Sequence, residues 1–121
     1  MLGTYALSAG YRDAYYLQAQ KVRTKIKQEM DNELEKVDCF LTPTQPTIAF
    51  KLGKHSNNPL EMYLEDIFVA GASLAGLPAI SLPCGFVKDL PVGMQLIGKR
   101  FDESKLFNIA HKYQENTGFY K

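Results

Sequence analysis

No stretch of the chain is apolar for the roughly 20 residues needed to span a bilayer. The opening Met1-Leu2-Gly3-Thr4-Tyr5-Ala6-Leu7 has no basic residue and soon turns polar, so it does not read as a signal peptide. Met1 and Leu2 run straight into a patterned segment, which is expected of a piece of a longer polypeptide. An excess of either charge is also missing. The formal net charge is +1, too small for counter-ion release to drive strong nucleic-acid binding, so any RNA contact is expected on a partner. There are two cysteines, Cys39 and Cys84, and no CxxC pair. Each sits in an apolar run, and the expectation is two reduced, buried thiols in a cytoplasmic protein. His55 and His111 lie far apart without ligand spacing to the cysteines, so no metal site is expected. A P-loop and a GxGxxG run are both lacking, so nucleotide binding is not indicated for this piece.

What is present fits one soluble domain with one core. The chain has 121 residues, 45% hydrophobic and 22% charged. From Tyr11 to Val37, the residues Tyr15, Ala19, Val22, Ile26, Met30 and Leu34 recur at spacings of three or four, which predicts one buried helix face. Lys21, Arg23, Lys25, Lys27, Glu33 and Glu35 are predicted on a solvated face. Their order opposes the helix dipole, so packing must hold this helix.

Cys39-Phe40-Leu41-Thr42 predicts a buried strand ended by Pro43. Asn58-Pro59-Leu60-Glu61 is a helix-start signature, and the helix is predicted to run from Pro59 to Leu74. Its small-residue second half permits close approach to a sheet or a ligand, and Leu77-Pro78 is predicted to stop it. Ala79 to Pro83 and Val92 to Gly98 predict two more strands in an antiparallel hairpin, with a loop from Gly85 to Pro91. Gly93 marks a spot where something approaches the backbone. Asp102 is expected to cap a last helix with a buried stripe of Leu106, Ile109, Ala110 and Tyr113, ended by Gly118. The class is α/β. The first two strands are expected as a parallel pair with a right-handed crossover. Three short strands, apolar on both faces, predict part of a larger sheet covered by helices.

Asp66 is the candidate site residue. One turn from Met62 and from Ala70, it is predicted to face the small-residue or apolar side, whereas Glu65, one turn after Glu61, is predicted on the wet face. Two readings fit Asp66: a carboxylate whose partner arrives with a ligand, such as an ammonium group, or a structural salt bridge. Ser8, Ser56, Ser73, Ser81 and Ser104 lie in no G-x-S-x-G elbow, and Ser81 reads as a core serine. No catalytic residue is identified. Neither cysteine has neighbours that would lower its pKa. The tyrosines at 5, 11, 15 and 16 read as core or interface.

The run GTYALSAGY from Gly3 to Tyr11, then Asp13-Ala14-Tyr15-Tyr16 and Ala19-Gln20-Lys21-Val22-Arg23-Thr24, resembles the amidase-signature family. Leu41-Thr42-Pro43-Thr44, Met62-Tyr63-Leu64 with Asp66-Ile67-Phe68, Ala72 to Pro83, and Leu90 to Gly98 extend the likeness over nearly the whole chain. The tyrosine-rich and Met-Tyr-Leu-x-Asp-Ile-Phe runs resemble, within that family, the A-subunit branch of the glutamyl-tRNA(Gln) amidotransferases. The resemblance implies a helix-wrapped mixed sheet, of which residues 1–121 form a partial domain from the C-terminal portion. It implies amidase chemistry by a Ser–cis-Ser–Lys triad, whose Gly/Ser-rich signature and lysine have no match here. Asp66 matches the aspartate that binds the α-ammonium of glutamine; the arginine for the α-carboxylate is expected upstream of Met1. The branch releases ammonia from glutamine, or asparagine, for the ATP-dependent conversion of Glu-tRNA(Gln) to Gln-tRNA(Gln). The implied partners are subunits B and C, with Glu-tRNA(Gln), ATP and Mg held by a partner, in the cytoplasm or an organellar matrix. This chain is then inactive alone. A fragment of a stand-alone amidase and a non-catalytic interaction module remain the alternatives.

Overall fold

The computed structural model describes residues 15–53 and 59–119. Ser8, His55, Ser56, Asn58 and the run from Gly3 to Ala14 lie outside them. The described elements are α1 (Leu17–Leu34), β1 (Cys39–Pro43), α2 (Pro59–Glu65), α3 (Ile67–Ala75), β2 (Ala79–Val87), β3 (Leu90–Gly98) and α4 (Glu103–Thr117).

The hairpin sets the sheet. β3 pairs antiparallel with β2 along its whole length, and its other edge pairs antiparallel with β1, giving the order β1-β3-β2. The expected parallel pair is therefore corrected. β1 and β2 do run in the same direction, but β3 lies between them, because the short hairpin connection places it beside β2 first. The strands are also longer than expected. Most of the segment predicted as a loop is strand, and only Lys88-Asp89 turn, at φ 53° and 61°. Two successive positive φ values match a two-residue I′ hairpin turn, whose twist suits the strands. A bulge between Pro83 and Gly85 leaves Cys84 out of the ladder.

Alternation along the strands feeds two cores, one on each sheet face. On one side Leu34 of α1, Ala72 and Ala75 of α3, Leu77 and Ile97 are buried together, with Met30 and Phe40 against them. On the other, α4 lays Leu106 and Ala110 on Leu82 and Leu96, flanked by Ile109 and Tyr113 as expected. Helices thus cover both faces. Gly118, at φ 70°, ends α4. Asp102 precedes α4 but makes no cap hydrogen bond; its carboxylate pairs instead with Lys105 at 3.3 Å.

The expected apolar face of α1 is only partly covered. Leu34 is buried and Ile26 and Met30 are half-buried, but Tyr15, Ala19 and Val22 are exposed. At 1.5 Å per residue, the 18 residues of α1 span roughly twice the length of the 9-residue α3 on which it packs. The N-terminal half of α1 overhangs its partner. Leu41, Leu60, Tyr63 and Ile67 are also more than half exposed, a large apolar surface for a chain of this size.

Candidate functional site

The helix expected from Pro59 to Leu74 is two helices, and the break between them falls at Asp66. Its φ of −93° and ψ of 5° are not helical. Its N–H closes α2 on the Tyr63 carbonyl at 3.3 Å, and its own carbonyl accepts from Val69 and Ala70 at 3.1 Å, which starts α3. The Asp66 carboxylate makes no cap hydrogen bond and is exposed, with no partner among the described residues. It stands at the positive end of α3, which favours a negative charge there.

The predicted faces of Glu65 and Asp66 are reversed. Glu65 is the buried one, at 7% exposure, and Thr47 Oγ1 lies 3.0 and 2.9 Å from its two carboxylate oxygens. The one-turn spacing of Glu61 and Glu65 assigns a wet face only relative to one continuous helix. The break at Asp66 ends that helix, and the loop carrying Thr47 covers its last residue.

Behind Asp66 the sheet presents a polar row. The register aligns Thr42, Gln95 and Ser81 across the three strands. Gln95 is buried, and its Nε2 donates to the Phe68 carbonyl at 2.7 Å and to Thr42 Oγ1 at 3.0 Å. Phe68 lies two residues after Asp66, so this amide ties the start of α3 to the sheet. Ser81 is exposed rather than in the core. Its Oγ is 2.7 Å from Thr44 Oγ1, and the Thr44 N–H donates to the Gly93 carbonyl. What approaches the backbone at Gly93 is this pair: a Cβ there would lie 2.9 Å from Thr44 Oγ1.

The far end of α3 is also fixed. Gly76, at φ 68°, adopts the left-handed conformation; its N–H reaches Ser73 O and the Leu77 N–H reaches Ala72 O, a Schellman end. Gly76, rather than Leu77-Pro78, stops the helix. Arg100 then caps the last carbonyls, donating to Ala75 O at 2.6 Å and Gly76 O at 3.2 Å, with Asp31 of α1 at 3.3 Å. Arg23 adds a bond to Leu74 O at 2.9 Å. Gly71, Ala72 and Ala75 of α3 lie against α1, where Met30 Sδ stands 3.9 Å from the Cβ position of Gly71. They serve helix packing.

Sequence reasoning singled out Asp66 as a candidate and did not single out Thr47, Gln95 or Arg100. Their partners lie between 18 and 69 residues away, beyond the reach of local spacing. Both cysteines are free and half-buried. Burial raises the Cys39 thiol pKa, helped by the nearby Asp38 charge and opposed by Lys105. A groove of about 430 Å³ beside Cys84, lined by Leu41, Pro43, Val92 and Met94, is apolar and offers packing rather than chemistry. Among the described residues, no helix is long and apolar enough to cross a membrane.

A family model described as Amidase matches residues 1–107. The A subunit of the glutamyl-tRNA(Gln) amidotransferase of Sulfurihydrogenibium sp. (strain YO3AOP1) is 57% identical over 121 residues, all of this chain and 25% of that protein. The protein of the same name from Carboxydothermus hydrogenoformans is 60% identical over the same 121 residues, again 25% of its length. The chain therefore spans about a quarter of the curated relatives it matches. Among solved structures, the A subunit of the glutamyl-tRNA(Gln) amidotransferase from Thermotoga maritima superposes with a TM-score of 0.84 at 52% identity, over 96% of this chain and 25% of that one. A crystal structure described as an amidase gives 0.78 at 27% identity, over 95% and 27%. The three strands and their helices therefore have the architecture of part of the amidase-signature fold.

Proposed function

The chain belongs to the amidase family, and from that premise we propose that it is the C-terminal portion of the A subunit of a glutamyl-tRNA(Gln) amidotransferase. Identity of 57–60% along all 121 residues to proteins of that name supports the reading, as does the apolar surface left uncovered on α1 and α2. The parent enzyme would be a carbon–nitrogen ligase that takes its amido group from glutamine or asparagine. Its serine nucleophile and lysine would lie in the remaining polypeptide, so the piece alone releases no ammonia. Subunits B and C would be the partners, with ATP, Mg and Glu-tRNA(Gln) held by a partner, in the cytoplasm.

The observation that carries the role of this piece is the state of Asp66. Its carboxylate is exposed, fixed on a helix break and without a partner among the described residues. Such a group binds an incoming ammonium without first losing a protein partner. Asp66 would hold the α-ammonium of the amide donor, while Glu65, occupied by Thr47, holds the loop.

The test is steady-state ammonia release by the full-length protein in its assembled complex. Asp66→Ala is expected to raise KM for glutamine at least about tenfold, the worth of one charge-assisted hydrogen bond. Glu65→Ala should change KM far less. Equal, small effects from both would remove Asp66 from the pocket.

A further inference from the structure

We propose that Gln95 is a positioning residue for amide-donor binding: its side-chain amide locks the first turn of α3 and so sets where the Asp66 carboxylate stands. The proposal rests on the reading of Asp66 as the ammonium anchor.

The two ends of α3 are held unequally. At the C-terminal end Arg100 and Arg23 together donate to the carbonyls of Leu74, Ala75 and Gly76, and Ala72 and Ala75 sit in the core. The N-terminal end has weaker packing, with Ile67 exposed and Phe68 and Val69 half-buried. Among the described residues, the polar tie between that end and the sheet is the 2.7 Å bond from Gln95 Nε2 to the Phe68 carbonyl. A carbonyl has two lone pairs, so it accepts this bond without giving up its place in the helix. The second N–H of the same amide goes to Thr42 Oγ1 at 3.0 Å, which fixes the rotation of the amide group. Gln95 itself stands on the central strand, paired on both sides, the most rigid place the sheet offers. Asp66 has non-helical dihedrals and no side-chain cap, so its position follows that of the residues bonded to it. The path from sheet to carboxylate is therefore Gln95, the Phe68 carbonyl, the first turn of α3, and Asp66. A displacement near 1 Å matters at a site that binds by charge and hydrogen-bond geometry.

A donor without the ammonium group separates positioning from general structural support. The probe is 4-carbamoylbutanoate, which keeps the amide and the carboxylate of glutamine and lacks the amine. In the assembled complex with the full-length protein, Gln95→Met keeps the length of the side chain and removes both N–H donors. It is expected to raise KM for glutamine about tenfold with kcat within about twofold, the loss that goes with one misplaced charge-assisted bond. Its kcat/KM for 4-carbamoylbutanoate should match the unsubstituted enzyme. Equal losses on both donors, or no loss on glutamine, would overturn the proposal. Asp66→Ala measured alongside separates the two readings. If Asp66→Ala is not selective for glutamine, the pocket reading fails. If it is selective and Gln95→Met is not, only the positioning role fails. Should Gln95→Met not fold, Thr42→Val carries the test, since it removes one acceptor of the same amide. A smaller glutamine-selective rise in KM supports the proposal, and a loss shared by both donors overturns it.

Discussion

Glu65 and Asp66 are sequence neighbours with opposite surroundings: one carboxylate is buried against Thr47 and the other stands in solvent at a helix break. The same substitution should therefore give opposite phenotypes at the two positions. Glu65→Ala removes a buried carboxylate and its two short contacts to the Thr47 hydroxyl, and is expected to cost the full-length protein about 1–3 kcal/mol. Asp66→Ala removes only a favourable charge at the α3 terminus, about 1 kcal/mol or less. Urea midpoints of the two variants check the first effect, and glutamine KM checks the reverse order. Destabilisation by Asp66→Ala as large as by Glu65→Ala would mean that Asp66 has a structural partner.

Arg100 separates a charge effect from a capping effect. It contacts the Asp31 carboxylate at 3.3 Å, but both side chains are partly exposed, so solvent screens the pair. Its bonds to Ala75 O and Gly76 O satisfy helix-end carbonyls, and Ala75 is buried. Arg100→Met is expected to cost about 1.5–3 kcal/mol through those bonds. Asp31→Asn should cost about 1 kcal/mol or less. Equal losses in a thermal or urea melt would shift the weight to the ion pair.

These residues also show what the sequence could and could not reveal. Period-two and period-three patterns report burial within one element, and they located β1, the hairpin strands and the stripe of α4. The patterns fail where an element breaks or changes partner. Nothing in Leu64-Glu65-Asp66-Ile67 carries a Gly or Pro to announce a break, so the faces of Glu65 and Asp66 were exchanged. Lys88-Asp89 lacks the Asn-Gly signature of an I′ turn, so the expected hairpin had too long a connection, from Gly85 to Pro91, in place of a two-residue turn. The strand order was hidden because β1 and β2 are separated by a strand that comes later in the chain. Gln95, like Arg100, acts on groups more than twenty residues away, where spacing carries no signal. Asp66 was legible mainly through its matching motif, since its exposure and its break were not.

Gly98 is the residue at which β3 passes beneath α4. A Cβ there would lie 2.9 Å from Leu106 Cγ and 3.0 and 3.1 Å from its two methyls. Leu106 is buried, with Leu82 and Leu96 around it, so it cannot swing aside freely. Gly98→Ala is expected to cost about 1–3 kcal/mol by overpacking. Gly98→Ala combined with Leu106→Ala should cost less than the sum of the two single changes, because the smaller side chain frees the space. Strict additivity in a double-mutant cycle would contradict the contact.

Cys39 offers a chemical reading of the β1 end of the sheet. Burial raises its thiol pKa first, the Asp38 charge raises it further, and Lys105, 3.2 Å from Asp38, works against both. The thiolate is the reactive form, so alkylation of Cys39 by iodoacetamide is expected to begin only above the pH range of an ordinary cysteine. Asp38→Asn removes a charge that disfavours the thiolate and should move the reactivity profile to lower pH. Lys105→Met removes a charge that favours it and should move the profile the opposite way. Mass-spectrometric labelling of the Cys39 peptide across a pH series follows both shifts. If the profile stays in place on Asp38→Asn, burial alone sets the thiol. If it moves upward, the Asp38–Lys105 pair acts on Cys39 chiefly through Lys105, and the expected sign is reversed.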